Sequence, residues 1–131
     1  MISEEHDMYR QYNANPIAQR VGDCTVRAIS TALGESWEET YLGVCIQGLL
    51  LHDMPSSNHV WGDYLESKGY ERLVVPKRGY TVKDFCREHD KGRYILAISG
   101  HVVACIDGDY YDTWNSGEEI VVYYWKERSH E

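Results

Sequence analysis

The chain's 131 residues suit a single domain spanning 1–131, and a hydrophobic content of 43% is enough for a packed core. A formal net charge of −8 argues against nucleic-acid binding, which needs a basic patch to meet phosphates. There is no run of about 18 apolar residues to cross a membrane, and the acidic, polar start MISEEHDMYRQY is unlike a secretory signal.

Residues 1–20 read as an N-terminal arm, extended rather than helical around Pro16. From Cys24, apolar residues recur at Val26, Ala28, Ile29, Ala32 and Leu33, which is helical spacing, and Gly34 closes the run. Ser36 with Glu39 has the form of a capping box opening SWEETYLGVCIQGLLL. There Trp37, Tyr41, Val44, Cys45 and Leu49 suggest an apolar stripe. After the loop HDMPSSN, HVWGDYLESKG reads as a short helix with Ser57 or Asn58 as its cap and Trp61 and Leu65 in the core. The same stretch has a second reading, as the wall of a cleft.

YERLVV reads as a strand, and Thr81 with Asp84 caps a further helix, VKDFCREH. The pattern then changes. RYILAIS, HVVACID, YYDTW and IVVYYWK are rich in β-branched and aromatic residues and read as four strands. The fold expected is α+β, with N-terminal helices packed on one face of a C-terminal antiparallel β-sheet. The last strand is expected either at the centre of the sheet or at an edge covered by a partner.

Four cysteines (24, 45, 86 and 105) form no C-x-x-C pair and read as free thiols of a reducing cytoplasm. Cys24 is the one with chemical promise. At a helix N-terminus, unpaired backbone N–H groups favour an anion and lower a thiol pKa. The plainer reading is a small buried hydrophobe. His101 is the candidate base, because it opens a strand after Ser99-Gly100 while Asp112, Asn115 and Ser116 return beside it. Register ranks those partners. A three-residue hairpin loop at 107–109 sets His101 opposite Asn115, with Cα atoms about 5.5 Å apart. A two-residue loop puts Asp112 on the face of His101. A nucleophilic Cys, a His base and an Asn or Asp orienter follow the logic of a cysteine hydrolase triad.

The order of these residues resembles the papain-like cysteine peptidase superfamily. GDC before a helix looks like the nucleophile region, SGHVVACIDG like the histidine strand, and DTWNSG like a shuffled form of the asparagine motif. The resemblance implies a compact papain-like fold and a Cys24, His101, Asn115 (or Asp112) triad. Those peptidases complete the oxyanion hole with a Gln upstream of the Cys. Here Gln19 lies five positions before Cys24, and Asn13 or Asn15 are alternatives. Thr25 stands where the family has an aromatic residue, and the chain is too short for a full second lobe. As a whole the chain also looks like small phage and prophage proteins of Gram-positive bacteria, through GDCTVRAIS, MPSSNHVWGDYL, VVP and GHVVACIDGDYYDTWNS.

The expected activity is hydrolysis of a peptide, isopeptide or amide bond, in a protein of the bacterial cytoplasm acting on a protein or peptide. Two alternatives stand beside it: a catalytically inactive binding protein of the same fold, and glutamine deamidation or transglutaminase-type acyl transfer. No cofactor is expected. Asp107, Asp109 and Asp112 lie around one turn, and turn chemistry accounts for them more simply than a metal does.

Overall fold

The computed structural model describes residues 8–129. Its elements run β1 (Tyr9–Gln11), α1 (Cys24–Leu33), α2 (Trp37–Leu51), α3 (Asn58–Ser67), β2 (Tyr70–Val74), α4 (Val82–Glu88), β3 (Arg93–Ile98), β4 (His101–Ile106), β5 (Asp109–Asp112) and β6 (Val121–Glu127). The fold is α+β, built on a six-stranded sheet of order β1-β5-β4-β3-β6-β2.

Two features of the layout differ from the sequence expectation. The sheet is mixed, because β1 from the N-terminal arm lies parallel to β5 and pairs Gln11 with Asp112. Helices also cover both faces. One core joins Ala28, Ile29 and Ala32 of α1, Val44 of α2 and Trp61 and Leu65 of α3 to Ile95, Val102, Ala104 and Trp125. The other joins Val82, Phe85 and Cys86 of α4 to Leu96, Val103, Cys105 and Tyr110. The apolar runs of β3 and β4 have this cause. A strand covered on both sides reads as continuous hydrophobicity rather than alternation. β6 lies between β3 and β2, one strand in from the edge.

The caps follow the sequence in part: Glu39 does not complete a box with Ser36, and Ser57 stands at the N-cap of α3 without a side-chain cap hydrogen bond. Ser36 accepts from the Glu39 N–H, and Thr81 and Asp84 form a reciprocal capping box. Gly34, at φ 72°, closes α1 in the left-handed region that glycine adopts without strain. Ser57 precedes α3, and its hydroxyl lies 3.1 Å from His59 Nδ1.

α2 departs from the expected stripe. Its buried face is Thr40, Val44 and Gly48, while Tyr41 and Leu49 are exposed. The small residues explain this. A Cβ on Gly48 would come 2.7 Å from the Asp53 carbonyl oxygen, and one on Gly43 would meet the Tyr64 ring. The helix therefore packs through its glycines, and the leucines turn outward.

Gly48→Ala is expected to lower unfolding stability by about 1–3 kcal/mol through overpacking against backbone. The loss outweighs the gain of about 1 kcal/mol that alanine's helix propensity offers. Chemical denaturation measures it, and an unchanged or raised midpoint would contradict the packing described.

Candidate active site

The hairpin between β4 and β5 sets the site. Ile106 pairs with Asp109 and Cys105 with Tyr110, so the loop is the two residues Asp107-Gly108. Both carry positive φ, 50° and 85°, as a type I′ turn requires. The Asp107 carboxylate accepts from the Gly92 N–H at 2.8 Å and fixes the turn. This register puts Asp112 on the face of His101, and of the two loop lengths considered above it is the shorter that forms.

His101 opens β4, and its Nε2 lies 2.7 Å from Asp112 Oδ2. Asn115 is elsewhere: its Oδ1 accepts from the Tyr110 hydroxyl and the Gly117 N–H. The orienting residue is therefore Asp112, and Asn115 braces the turn after β5. The reason is the turn, because with an Asp-Gly pair at positive φ the three-residue loop that would bring Asn115 opposite His101 does not form.

Asp112 is held from every side. Its side chain is only 2% exposed. Ser116 donates to Oδ2 at 2.7 Å, the Thr113 N–H donates to Oδ1 at 2.8 Å, and Arg27 lies 4.0 Å from Oδ1. Its backbone carbonyl accepts from the Tyr12 N–H and the Tyr9 hydroxyl, so β1 clamps the same residue. A buried carboxylate is tolerated when its lone pairs are filled in this way.

Cys24 is the first residue of α1 and is partly buried. The His101 ring lies near enough to act on its charge. With Nε2 committed to Asp112, Nδ1 is the ring nitrogen left for sulfur. Burial alone pushes the thiol up. The His101 hydrogen bond and charge, the Val102 backbone and Arg27 together outweigh it, and the net displacement is below the ordinary 9.0. For His101 burial pulls the other way, but its bonds to Asp112 and Cys24 raise it from 6.5 to about 9. The two displacements agree, since each favours the charged form of one group beside the other.

Asp23, Arg27 and Trp37 join the site without having been singled out as functional in the sequence. Asp23 stands at the N-cap of α1 but makes no side-chain cap hydrogen bond. Its buried carboxylate instead takes Trp37 Nε1 at 2.9 Å, Asn15 Nδ2 at 3.3 Å and Arg27 Nη1. Arg27 thereby bridges Asp23 and Asp112. Only its spacing, Asp23 and Arg27 at i and i+4, carried a signal in the sequence.

The oxyanion candidates separate. Asn15 is buried, with its amide nitrogen on Asp23 and its oxygen accepting from the Ile17 and Gln19 N–H groups, so it builds the loop. Asn13 caps the same loop by accepting from the Asn15 N–H. Gln19 lines a groove of about 580 Å³ with Gly22, Arg27, Thr113 and Trp114. Trp114 packs on His101 at 5.1 Å between ring centroids. A second cavity, about 360 Å³, lies across Val21 and Gly22 and is walled partly by Pro55 and Ser56. The helix that the 52–58 segment opens has the expected core residues, Trp61 and Leu65.

The three acidic residues near the hairpin face different partners: Gly92 for Asp107, Arg10 for Asp109 and His101 for Asp112. Among the described residues no group of His, Cys, Asp or Glu is arranged to hold a metal ion, and no helix is long and apolar enough to cross a membrane. Comparison with family models, curated proteins and solved structures finds no match.

Replacing Asp112 with Asn is expected to bring the His101 titration down from about 9 toward 6.5, because the raising hydrogen bond and charge are weakened. Asn115→Ala is expected to leave it within about half a unit, inside the ordinary scatter of such values. NMR titration of the imidazole reads both, and a larger effect from Asn115 would reverse the assignment.

Proposed function

We propose that the chain is a cysteine hydrolase acting on a peptide, isopeptide or amide bond. Cys24 is the nucleophile, His101 the proton carrier and Asp112 the orienter. The observation that carries this reading is the Asp112–His101 pair beside a thiol at a helix N-terminus, with His101 and Cys24 each shifting the other's titration. The step follows from the geometry. Cys24 Sγ attacks the carbonyl carbon, and the C–O electron pair moves onto oxygen. The Asp23 side chain makes no cap hydrogen bond to the first N–H groups of α1, which leaves them to that oxygen. As the C–N bond breaks, His101 gives its proton to the leaving nitrogen. Water, deprotonated by His101, then cleaves the thioester and frees the thiol.

The same acyl-enzyme serves glutamine deamidation or acyl transfer, and the relay is common to all three. A second reading, a non-enzymatic binding protein, draws on Leu42, Ile46, Leu49 and Leu50, which expose an apolar face on α2. It requires that Cys24→Ser leave all function intact.

Attack needs Cys24 deprotonated and His101 protonated. Reactivity with a neutral electrophile should therefore rise through a pH below the ordinary thiol value of 9.0, and hydrolysis should fall again above about 9. Alkylation by iodoacetamide, followed at each cysteine by mass spectrometry, is expected to mark Cys24 first at pH 7. His101→Ala is expected to slow that labelling by about tenfold or more, the factor for each pKa unit by which the thiol rises. Equal labelling of Cys24 and Cys45 would overturn the proposal.

A further inference from the structure

We propose that the outward face of α2 is a dimer interface, occupied by a second copy of this chain whose α2 crosses it about a two-fold axis at Ile46. The proposal is independent of the chemistry at Cys24.

Leu42, Ile46, Leu49 and Leu50 share one side of α2, each between 56% and 73% exposed, and Tyr41 and Met54 are exposed toward its two ends. The opposite side packs on α1 and α3 through Thr40, Val44 and Gly48. No charged residue stands between Thr40 and Leu51. A helix that is apolar all round is one covered all round, yet the described residues leave these leucines open. At roughly 200 Å² for a fully exposed residue of this size, the six present about 700 Å². That exceeds the largest patch of an ordinary monomer, about 300–600 Å², and approaches the roughly 800 Å² that each partner gives a stable interface.

The pattern of the face selects a copy of itself. Leu42, Ile46 and Leu50 form a row at i, i+4 and i+8, with a leucine on each side of the isoleucine. Such rows interlock when two helices cross at about −50°. A two-fold axis at Ile46 with the helices antiparallel sets Leu42 of each copy against Leu50 of the other, and the two isoleucines against one another. The charges permit this. Glu39 and Asp53 stand seven residues to either side of Ile46. Antiparallel helices bring them to the same end. Seven residues out from such a crossing, however, the axes are about 13 Å apart, beyond the ~8 Å screening length of physiological salt. Other occupants fit less well. An anionic lipid surface would meet the net charge of −8 directly. A basic partner would lay its cations over leucines, where the face offers no carboxylate.

The test is the mass of the full chain by sedimentation equilibrium over about 1–100 µM, where an interface of this size self-associates. The expected result is a rise from 15.2 kDa to twice that mass with concentration. Ile46→Glu sets two carboxylates on the axis and is expected to raise the midpoint concentration about tenfold or more. Its far-ultraviolet circular dichroism should be unchanged, because the position is exposed. Leu42→Lys and Leu50→Glu should each weaken the dimer alone, and an equal mixture of the two should restore it, since the antiparallel crossing brings the introduced charges together. A monomer at every concentration would overturn the proposal, and binding of that monomer to neutral phosphatidylcholine vesicles would give the face to a lipid surface instead. A dimer that Ile46→Glu leaves intact would overturn it by placing the interface elsewhere. A mixture no more dimeric than its components would overturn the crossing at Ile46, and the mixture decides the question alone if Ile46→Glu does not fold.

Discussion

The site depends on a carboxylate buried at the end of a sheet. Removing the Asp112 side chain from water is costly unless its lone pairs are filled, and four groups converge on it: His101, Ser116, the Thr113 N–H and Arg27. The imidazole compensates best when it carries a proton. A protonated imidazole beside Cys24 in turn stabilises the thiolate, and the first turn of α1 presents its positive end to the same sulfur. The displaced titration of the Cys24 thiol thus traces back to the burial of an acid on β5.

The backbone sets up that burial. Asp107-Gly108 closes the hairpin in two residues and fixes the register of β5 on β4. β1 lies along the far side of β5 and takes the Asp112 carbonyl through Tyr12 and Tyr9. On the helix side, Asp23 and Arg27 tie the start of α1 to Asp112, and Trp37 brings the start of α2 to the same point. The N-cap residue of α1 is used here as a structural anion, which leaves the helix N-terminus facing the thiol uncapped by a side chain.

Much of this was legible in the sequence, and the remainder has identifiable reasons. The helices and the strand runs follow from local periodicity, and the Thr81–Asp84 box from capping chemistry. Cys24 and His101 stood out because one precedes a helix and the other opens a strand. The choice between Asp112 and Asn115 hung on one loop residue. Asp-Gly favours the two-residue turn, while a third residue, Asp109, made the longer loop equally plausible on paper. The parallel pairing of β1 was not readable, because three residues in an arm carry no signal of their neighbour. Nor was the second helical layer: continuous apolarity in β3 and β4 indicates burial on both faces without saying which element covers each. The outward leucines of α2 escaped for a related reason. Apolar residues surround that helix, and only Gly43 and Gly48, which allow close approach, mark the side that packs.

His101 and the groups behind it hold the Cys24 thiol below its ordinary pKa. The most direct measurement is the ultraviolet absorbance of the thiolate as a function of pH, taken as the difference between the parent and Cys24→Ser. A thiolate signal that emerges below the ordinary thiol range is expected, and in His101→Ala it is expected to move up in pH. A difference signal that emerges only in the ordinary thiol range, about 8.5 or above, would contradict it.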